Sequence, residues 1–477
     1  MKTAMRMMSI VLLAVLMLAL VIVGCKKDEA TAPTQPPGPV NTGTANFARY
    51  VSLGNSLTAG FQSNALSQRD QVWSYPSQIA RAVGITGFEQ PLIKDPGIGA
   101  RKKLTSLTGP VIITETGVSP TDPGSNLNAA LSRPYNNLGI PGAIVFDMAD
   151  TSDFVIKSTV RANPFFAQVL RSKALGNSII AQAKALTPTF ISVWIGNNDV
   201  LGYATSGGTV GTNLAGNGPT DAPVFDLFYR NLLNELKTTG AGIVAANIPD
   251  VTSIPFFTTV PWNGLVLTRQ GQVDSLNAAY APLGITFTLG QNGFIAATSS
   301  SPSGRKKLTS SEFVLLTVPQ DSLRLAGWGS TKPIPTQYVL TSDEVAKVSA
   351  AITAFNASID SLCRNRGIGL VDANTILRNA KTSGIYVPGL GSFTPSFVTG
   401  GLFSYDGVHP SSRGYAIVAN EFIKVINTKF SAAIPEVSVA AAPGMQGVGN
   451  AKIAPGEYPW PNVGSLDFYV KLLTGGR

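Results

Sequence analysis

The chain has 477 residues, with 36 Lys and Arg against 27 Asp and Glu, one His and two Cys. The formal charge of +9 is a modest excess for that length. There is no zinc-finger spacing, no glycine-rich nucleotide loop backed by a lysine and no basic–aromatic stripe, so nucleic acid is not expected as a partner. A single His without clustered Cys leaves little beyond carboxylates to hold a metal, so no metal site is implied, and no cofactor is expected.

Residues 1–24 read as an export signal. Lys2 and Arg6 form a basic start, Ile10 to Val23 is an almost unbroken apolar run, and small Gly24 precedes Cys25. The apolar run is shorter than the ~20 residues of a membrane-spanning helix. Ile22-Val23-Gly24-Cys25 resembles the lipobox of bacterial lipoproteins, which implies that Cys25 becomes the first mature residue and carries lipid. Lys26 after the cysteine, rather than Asp, favours the outer membrane by the sorting pattern of such signals. Removing Lys2 and Arg6 leaves 34 basic residues against 27 acidic ones, or +7, which suits anionic membrane surfaces or polyanions. With Cys25 acylated, Cys363 has no disulfide partner, so the core of over 400 mature residues must carry the stability.

Residues 25–45, rich in Thr, Pro, Ala and Gly, read as the lipid anchor and a flexible tether, and the folded domain is expected over 46–430. Tyr50–Leu53 is a short strand leading to a turn at Gly54-Asn55-Ser56-Leu57-Thr58-Ala59-Gly60. Ser74–Val83 reads as a helix ending at Gly84. Phe190–Ile195 is an apolar strand, Val224–Lys237 an amphipathic helix, and Gly242–Ile248 another buried strand. Thr341-x-x-Glu344 forms a capping box that opens a helix running to about Arg366. On it Val345, Val348, Ile352, Phe355, Ile359 and Leu362 recur at steps of three and four, and place Cys363 as an inert small residue beside an apolar face. Gly369–Asp372 is a further strand and Ser412–Phe430 the closing helix. Continuous apolar strands alternating with helices indicate an α/β protein with a parallel sheet covered on both faces, which places chemistry at the carboxyl ends of its strands.

Three segments, near 86–135, 201–223 and 260–338, are loop-rich and are expected as insertions rimming the site. A hexapeptide recurs in two of them: Arg101-Lys102-Lys103-Leu104-Thr105-Ser106 and Arg305-Lys306-Lys307-Leu308-Thr309-Ser310. Coincidence on two solvated hairpins is the favoured reading. The sharper one is a basic surface facing lipid headgroups or an anionic substrate. The tail 431–477 is extended or turn-like, and no role is assigned to it.

The single histidine, His409, lies in Asp406-Gly407-Val408-His409-Pro410. Together with Ser56 these residues are the parts of a nucleophilic triad. A lone histidine is more often structural, so the surrounding blocks decide. Gly54-Asn55-Ser56-Leu57, Asn137-Leu138-Gly139-Ile140-Pro141-Gly142-Ala143, Gly196-Asn197-Asn198-Asp199 and Asp406 to Pro410 occur in that order. In order and spread they resemble the SGNH/GDSL hydrolase family over roughly residues 47–430. Asn55 departs from the family's usual Asp, which puts the hydrogen bonding beside Ser56 in question.

The resemblance implies a flavodoxin-like three-layer α/β/α fold and a carboxylic ester hydrolase, a lipase, esterase or carbohydrate O-deacetylase, without cofactor or metal. Ser56 is then the nucleophile, His409 the general base and Asp406 its orienting partner. The oxyanion donors are the N–H of Ser56, the N–H of Gly142, with Gly139 as rival, and the side-chain amide of Asn198, with Asn197 as rival. A Gly-x-Ser-x-Gly elbow does not fit, because Ser56 lacks the second glycine. The implied partners are an acyl-lipid or acylated-glycan ester and, through Cys25, a membrane of the cell envelope. A rival class is a non-catalytic surface lipoprotein that uses the cleft to bind a ligand, with Asn55 as its main support.

Overall fold

The computed structural model describes residues 39–106, 111–212 and 217–445. The expected export signal over residues 1–24, Cys25 and the tail from residue 446 lie outside the described residues. Among those described, no helix is long and apolar enough to cross a membrane.

Five strands, β1 (Tyr50–Gly54), β2 (Asn137–Gly139), β3 (Phe190–Trp194), β4 (Gly242–Ala246) and β5 (Gly369–Val371), form one parallel sheet. Their spatial order is β5-β4-β3-β1-β2, the flavodoxin-like order with its switch point between β1 and β3. Alternation along the strands separates the two faces. Val51, Leu53, Ile191, Val193, Ile243 and Ala245 enter one core, with Phe225, Leu232 and Phe355 from the helices Ala222–Lys237 and Ser342–Asn365. Tyr50, Phe190, Trp194, Val244 and Ala246 enter the other, with Tyr75, Ile79, Phe422 and Ile426 from Tyr75–Ala82 and Ser412–Phe430. This is the three-layer α/β/α arrangement expected from the sequence.

The capping box forms as expected: Thr341 N–H donates to Glu344 Oε2 at 2.7 Å, and the helix runs to Asn365. Cys363 is buried on it, and burial pushes its thiol up to about 12.

Several boundaries differ. The tether was expected to reach residue 45, yet the chain is docked earlier. Thr44 N–H donates to Phe430 O at 2.8 Å, Ala433 N–H to Asn41 O at 2.8 Å, and Ala45 is buried. The first part of the tail packs back along Ser412–Phe430. There Asn427 and Asn420 side chains hold the backbone of Ile434 and Val437, each both donating and accepting. Leu201–Thr205, read as loop, completes the helix Asn198–Thr205. The helices Phe154–Val160, Phe165–Leu170 and Ile179–Ala185 were not anticipated.

Both hexapeptides contribute a hairpin strand, the first over its whole length and the second over Arg305–Lys307, but they pair differently. Arg101–Ser106 pairs with the strand that follows, Val111–Glu115, whereas Arg305–Lys307 pairs with the preceding Ile295–Ala297. Much of their charge is paired or buried, with Lys103 and Arg305 left at the surface. Arg101 pairs with Asp70, Lys102 is 2% exposed, and Lys306 pairs with buried Glu312. Lys307 Nζ donates to Thr286 O at 2.7 Å.

Candidate active site

Three of the expected positions follow carboxyl ends of sheet strands. Ser56 comes two residues after β1, Gly142 three after β2, and Asn198 four after β3. Ser56 and Asn198 therefore flank the switch point, where open α/β sheets bind ligands. Each opens a helix, Ser56–Ala59 and Asn198–Thr205.

Asp406 and His409 lie on the loop before Ser412–Phe430. The local chemistry of Asp406-Gly407-Val408-His409 closes this turn. Asp406 Oδ1 accepts the backbone N–H groups of Val408 and His409, each at 2.9 Å, and the hydroxyl of Ser404 at 3.1 Å. Gly407 takes φ +71°, with Phe256 N only 3.2 Å from where a Cβ would stand, so a side chain there meets both strain and contact. The turn returns the imidazole to its own acid: His409 Nδ1 is 2.9 Å from Asp406 Oδ2. Both residues are fully buried. Burial alone raises the Asp406 carboxyl, but the His409 charge and the donors around it outweigh burial and hold it below the ordinary value.

Four consecutive residues after the serine turn hold it to this loop and to the helix that follows. Tyr415 Oη donates to Phe61 O at 2.7 Å, and Gln62 Nε2 to Ser412 Oγ at 3.1 Å. Ser63 N–H donates to Ser404 Oγ at 2.8 Å, and Asn64 N–H to Asp406 Oδ2 at 2.8 Å. Phe61 N–H in turn donates to Ser56 O at 3.0 Å, and the Phe61 ring lies 4.8 Å from the His409 ring. The serine turn and the histidine loop, some 350 residues apart in sequence, are thus one unit. Sequence reasoning missed Ser63 and Asn64. Both take positive φ, 53° and 64°, which Asn tolerates better than most residues; that preference was the available signal.

The rivals separate on hydrogen bonding. Gly139 N–H donates to Asn137 Oδ1 at 2.9 Å. Gly142 has φ +79°, and its N–H has no acceptor among the described residues. Asn197 Oδ1 accepts from Asn55 Nδ2 at 3.0 Å, while Asn198 Nδ2 donates to Ala143 O at 2.8 Å and retains a second N–H. Asn55, the departure from the family pattern, is fully buried and caps the helix Ser56–Ala59 by accepting from Leu57 N–H at 3.0 Å. Asp199 is also fully buried. Burial raises its carboxyl to about 7, against hydrogen bonds from Val145 N–H and the Thr220 hydroxyl.

This assembly has the parts of acyl transfer: a serine on a tight turn, an imidazole oriented by a carboxylate, and neutral donors on adjacent strand ends. The family model described as GDSL-like lipase/acylhydrolase matches residues 50–422. The chain is similar to a lipase/acylhydrolase from Enterococcus faecalis, at 11% identity over 81% of this chain and 98% of that one, with a TM-score of 0.31. It is similar to an extracellular lipase from Streptomyces rimosus at 14% identity over 80% and 98%, with a TM-score of 0.27. A catalytic mutant of an acetylxylan esterase from Geobacillus stearothermophilus matches at 14% identity over 61% and 70%, with a TM-score of 0.24. At these scores the likenesses carry no argument about substrate. No curated protein matches the chain. On the family match, which spans both the serine turn and the histidine loop, the chain belongs to the GDSL-like lipase/acylhydrolase family and is a carboxylic ester hydrolase.

Proposed function

We propose that this is an exported, lipid-anchored serine esterase that works through an acyl-enzyme. Ser56 is the nucleophile, His409 the base and Asp406 its orienting group. With Nδ1–H given to Asp406, His409 Nε2 takes the Ser56 proton as Oγ attacks the ester carbonyl carbon. The oxygen that becomes negative is met by the N–H of Ser56, the N–H of Gly142 and the side-chain amide of Asn198. His409 then gives its proton to the leaving alcohol oxygen as the C–O bond breaks. Water repeats the sequence on the acyl-serine, with His409 again as base, and releases the acid. The observation that carries this reading is the buried 2.9 Å contact between His409 Nδ1 and Asp406 Oδ2, held on the nucleophile segment by Asn64.

The substrate class is an acyl lipid or an acylated glycan. Ser56 is only 2% exposed and Asn198 1%, which favours a slim, short acyl group. The mature protein carries lipid on Cys25 and resides in the cell envelope, on the outer membrane.

Two experiments test these parts separately. A protein starting at Lys26 is assayed on p-nitrophenyl esters of increasing chain length beside its Ser56→Ala twin. The expected result is turnover by the parent alone, fastest on acetyl or butyryl esters; equal turnover by both removes Ser56 from the mechanism. For the anchor, the full chain is expressed with radiolabelled palmitate. Label retained by the parent and absent from Cys25→Ala is expected, and label in neither ends the lipoprotein reading.

A further inference from the structure

Five consecutive residues, Pro141 to Val145, each have one backbone polar group held by a side chain. Asn163 Nδ2 donates to Pro141 O at 2.8 Å, Arg161 Nη2 to Gly142 O at 3.5 Å, and Asn198 Nδ2 to Ala143 O at 2.8 Å. Asp147 Oδ2 accepts from Ile144 N–H at 2.8 Å, and Asp199 Oδ2 from Val145 N–H at 2.9 Å. Ala143 N–H donates to Ile140 O at 3.0 Å. What this leaves open, among the described residues, is the N–H of Gly142.

Arg161 acts at two points of this loop. Besides Gly142 O it pairs with Asp147 Oδ1, whose other oxygen holds Ile144. The Asp147 side chain is fully buried, and the Arg161 side chain, 24% exposed, sets its guanidinium 5.1 Å over the Phe166 ring. Phe166 belongs to Phe165–Leu170, so the clamp is itself seated on packed structure. A planar fork of donors can serve two acceptors at once, as an ammonium on a flexible stem cannot do with the same geometry. Gly142 needs such help. A glycine at φ +79° has no side chain to restrict it. Asn163 holds the peptide before its Cα and Arg161 the peptide after.

We infer that Arg161 is a positioning residue for ester hydrolysis, bridging Asp147 and the Gly142 carbonyl so that the Gly142 N–H stays aimed at the reacting oxygen. Arg161 lies outside all four sequence blocks that carry the family resemblance. The inference rests on the proposed esterase reading of Ser56.

The test compares an oxo-ester with the matching thionoester, in which sulfur replaces the carbonyl oxygen. Sulfur is larger and a poorer acceptor, so well-aimed oxyanion donors discriminate against it. In Arg161→Met, kcat on the oxo-ester is expected to fall about 10- to 100-fold with KM changed by less than about threefold, less than outright loss of a donor. The oxo/thiono ratio of kcat/KM is expected to fall at least about fivefold. A merely structural role lowers the active fraction, scales both substrates alike and leaves the ratio unchanged; that result overturns the inference. Arg161→Lys carries the same ratio test if the Met variant does not fold. A parent that hydrolyses neither ester overturns the esterase reading and the inference together, whereas an active parent with unchanged ratios overturns the inference alone.

Discussion

Asn55 Nδ2 donates to Asn197 Oδ1 at 3.0 Å, joining the residue before Ser56 to the residue before Asn198. Asn55 Oδ1 is meanwhile occupied by Leu57 N–H. An aspartate at this position needs a donor opposite it, and Asn197 can supply one by turning its amide over. Asn55→Asp is therefore expected to fold and to retain kcat within about threefold. Asn55→Ala removes the helix cap and leaves Asn197 Oδ1 without its donor, costing about 1–3 kcal/mol. Urea unfolding beside ester turnover checks both. An inactive Asp variant beside an active Ala variant would mean that charge, not hydrogen bonding, governs this position.

Asp199 gives stability a pH dependence of known sign. Its folded carboxyl, raised by burial to about 7, lies above the unfolded value of 3.8. Between those values the folded state holds a proton that the unfolded state has lost. The Asp199 contribution is then full below about pH 4 and declines as pH rises toward 7, by at most about 4 kcal/mol. Asp199→Asn keeps an acceptor for Val145 N–H and offers a donor to Thr220. It is expected to lose this decline and to be more stable than the parent at pH 8. Unfolding curves at pH 5 and 8 decide it, and parallel behaviour of parent and variant counts against it.

Asp406 has the opposite sign. Its folded carboxyl is held below the ordinary value. The stabilisation it brings is present above the unfolded pKa and lost as pH falls through the folded one. Asp406→Asn removes that acid-side loss and can offer its N–H₂ to His409 Nδ1, which favours the tautomer whose Nε2 carries the proton and cannot act as base. A kcat decrease of about 10²–10⁴ is expected, with the Gly142 and Asn198 donors still in place. A variant within tenfold of the parent would remove Asp406 from the machinery.

Glu312 anchors the insertion beside the site. It is 1% exposed, accepts from Thr309 N–H at 2.9 Å and Ser342 N–H at 3.1 Å, and pairs with Lys306. Removing Glu312 leaves the Thr309 and Ser342 N–H groups without their acceptor, at about 1–3 kcal/mol. Glu312→Ala is expected to make residues 260–338 sensitive to limited proteolysis before the rest of the chain. Cleavage at the parent's rate would show that Lys306 does not depend on this pair.

Much of this was legible because the strands are apolar runs and the motif residues sit at their ends. β1, β3 and β4 appear in the sequence within one or two residues of their observed limits, and the Thr341 capping box marks its helix directly. Phe154–Val160 stayed hidden because its face is inverted. Val155, Ile156 and Val160 are exposed while Lys157 is buried against Asp150 at 2.5 Å, so the usual apolar-inward period is absent. The Arg101 hexapeptide reads as solvated charge because its partner Asp70 lies 31 residues away and leaves no local pattern. For the same reason nothing near His409 announces Asn64 as a partner of Asp406, although that contact sets the loop in place.

The central claim, that Ser56 is a nucleophile activated by His409, is tested most directly by reacting the protein from Lys26 onward with a fluorophosphonate and mapping the adduct by peptide mass spectrometry. The expected result is one adduct, on Ser56, formed at least about 10³-fold more slowly in His409→Ala, since the triad acts as a unit. No adduct, an adduct on another serine, or labelling at the parent's rate in the His409 variant would contradict it.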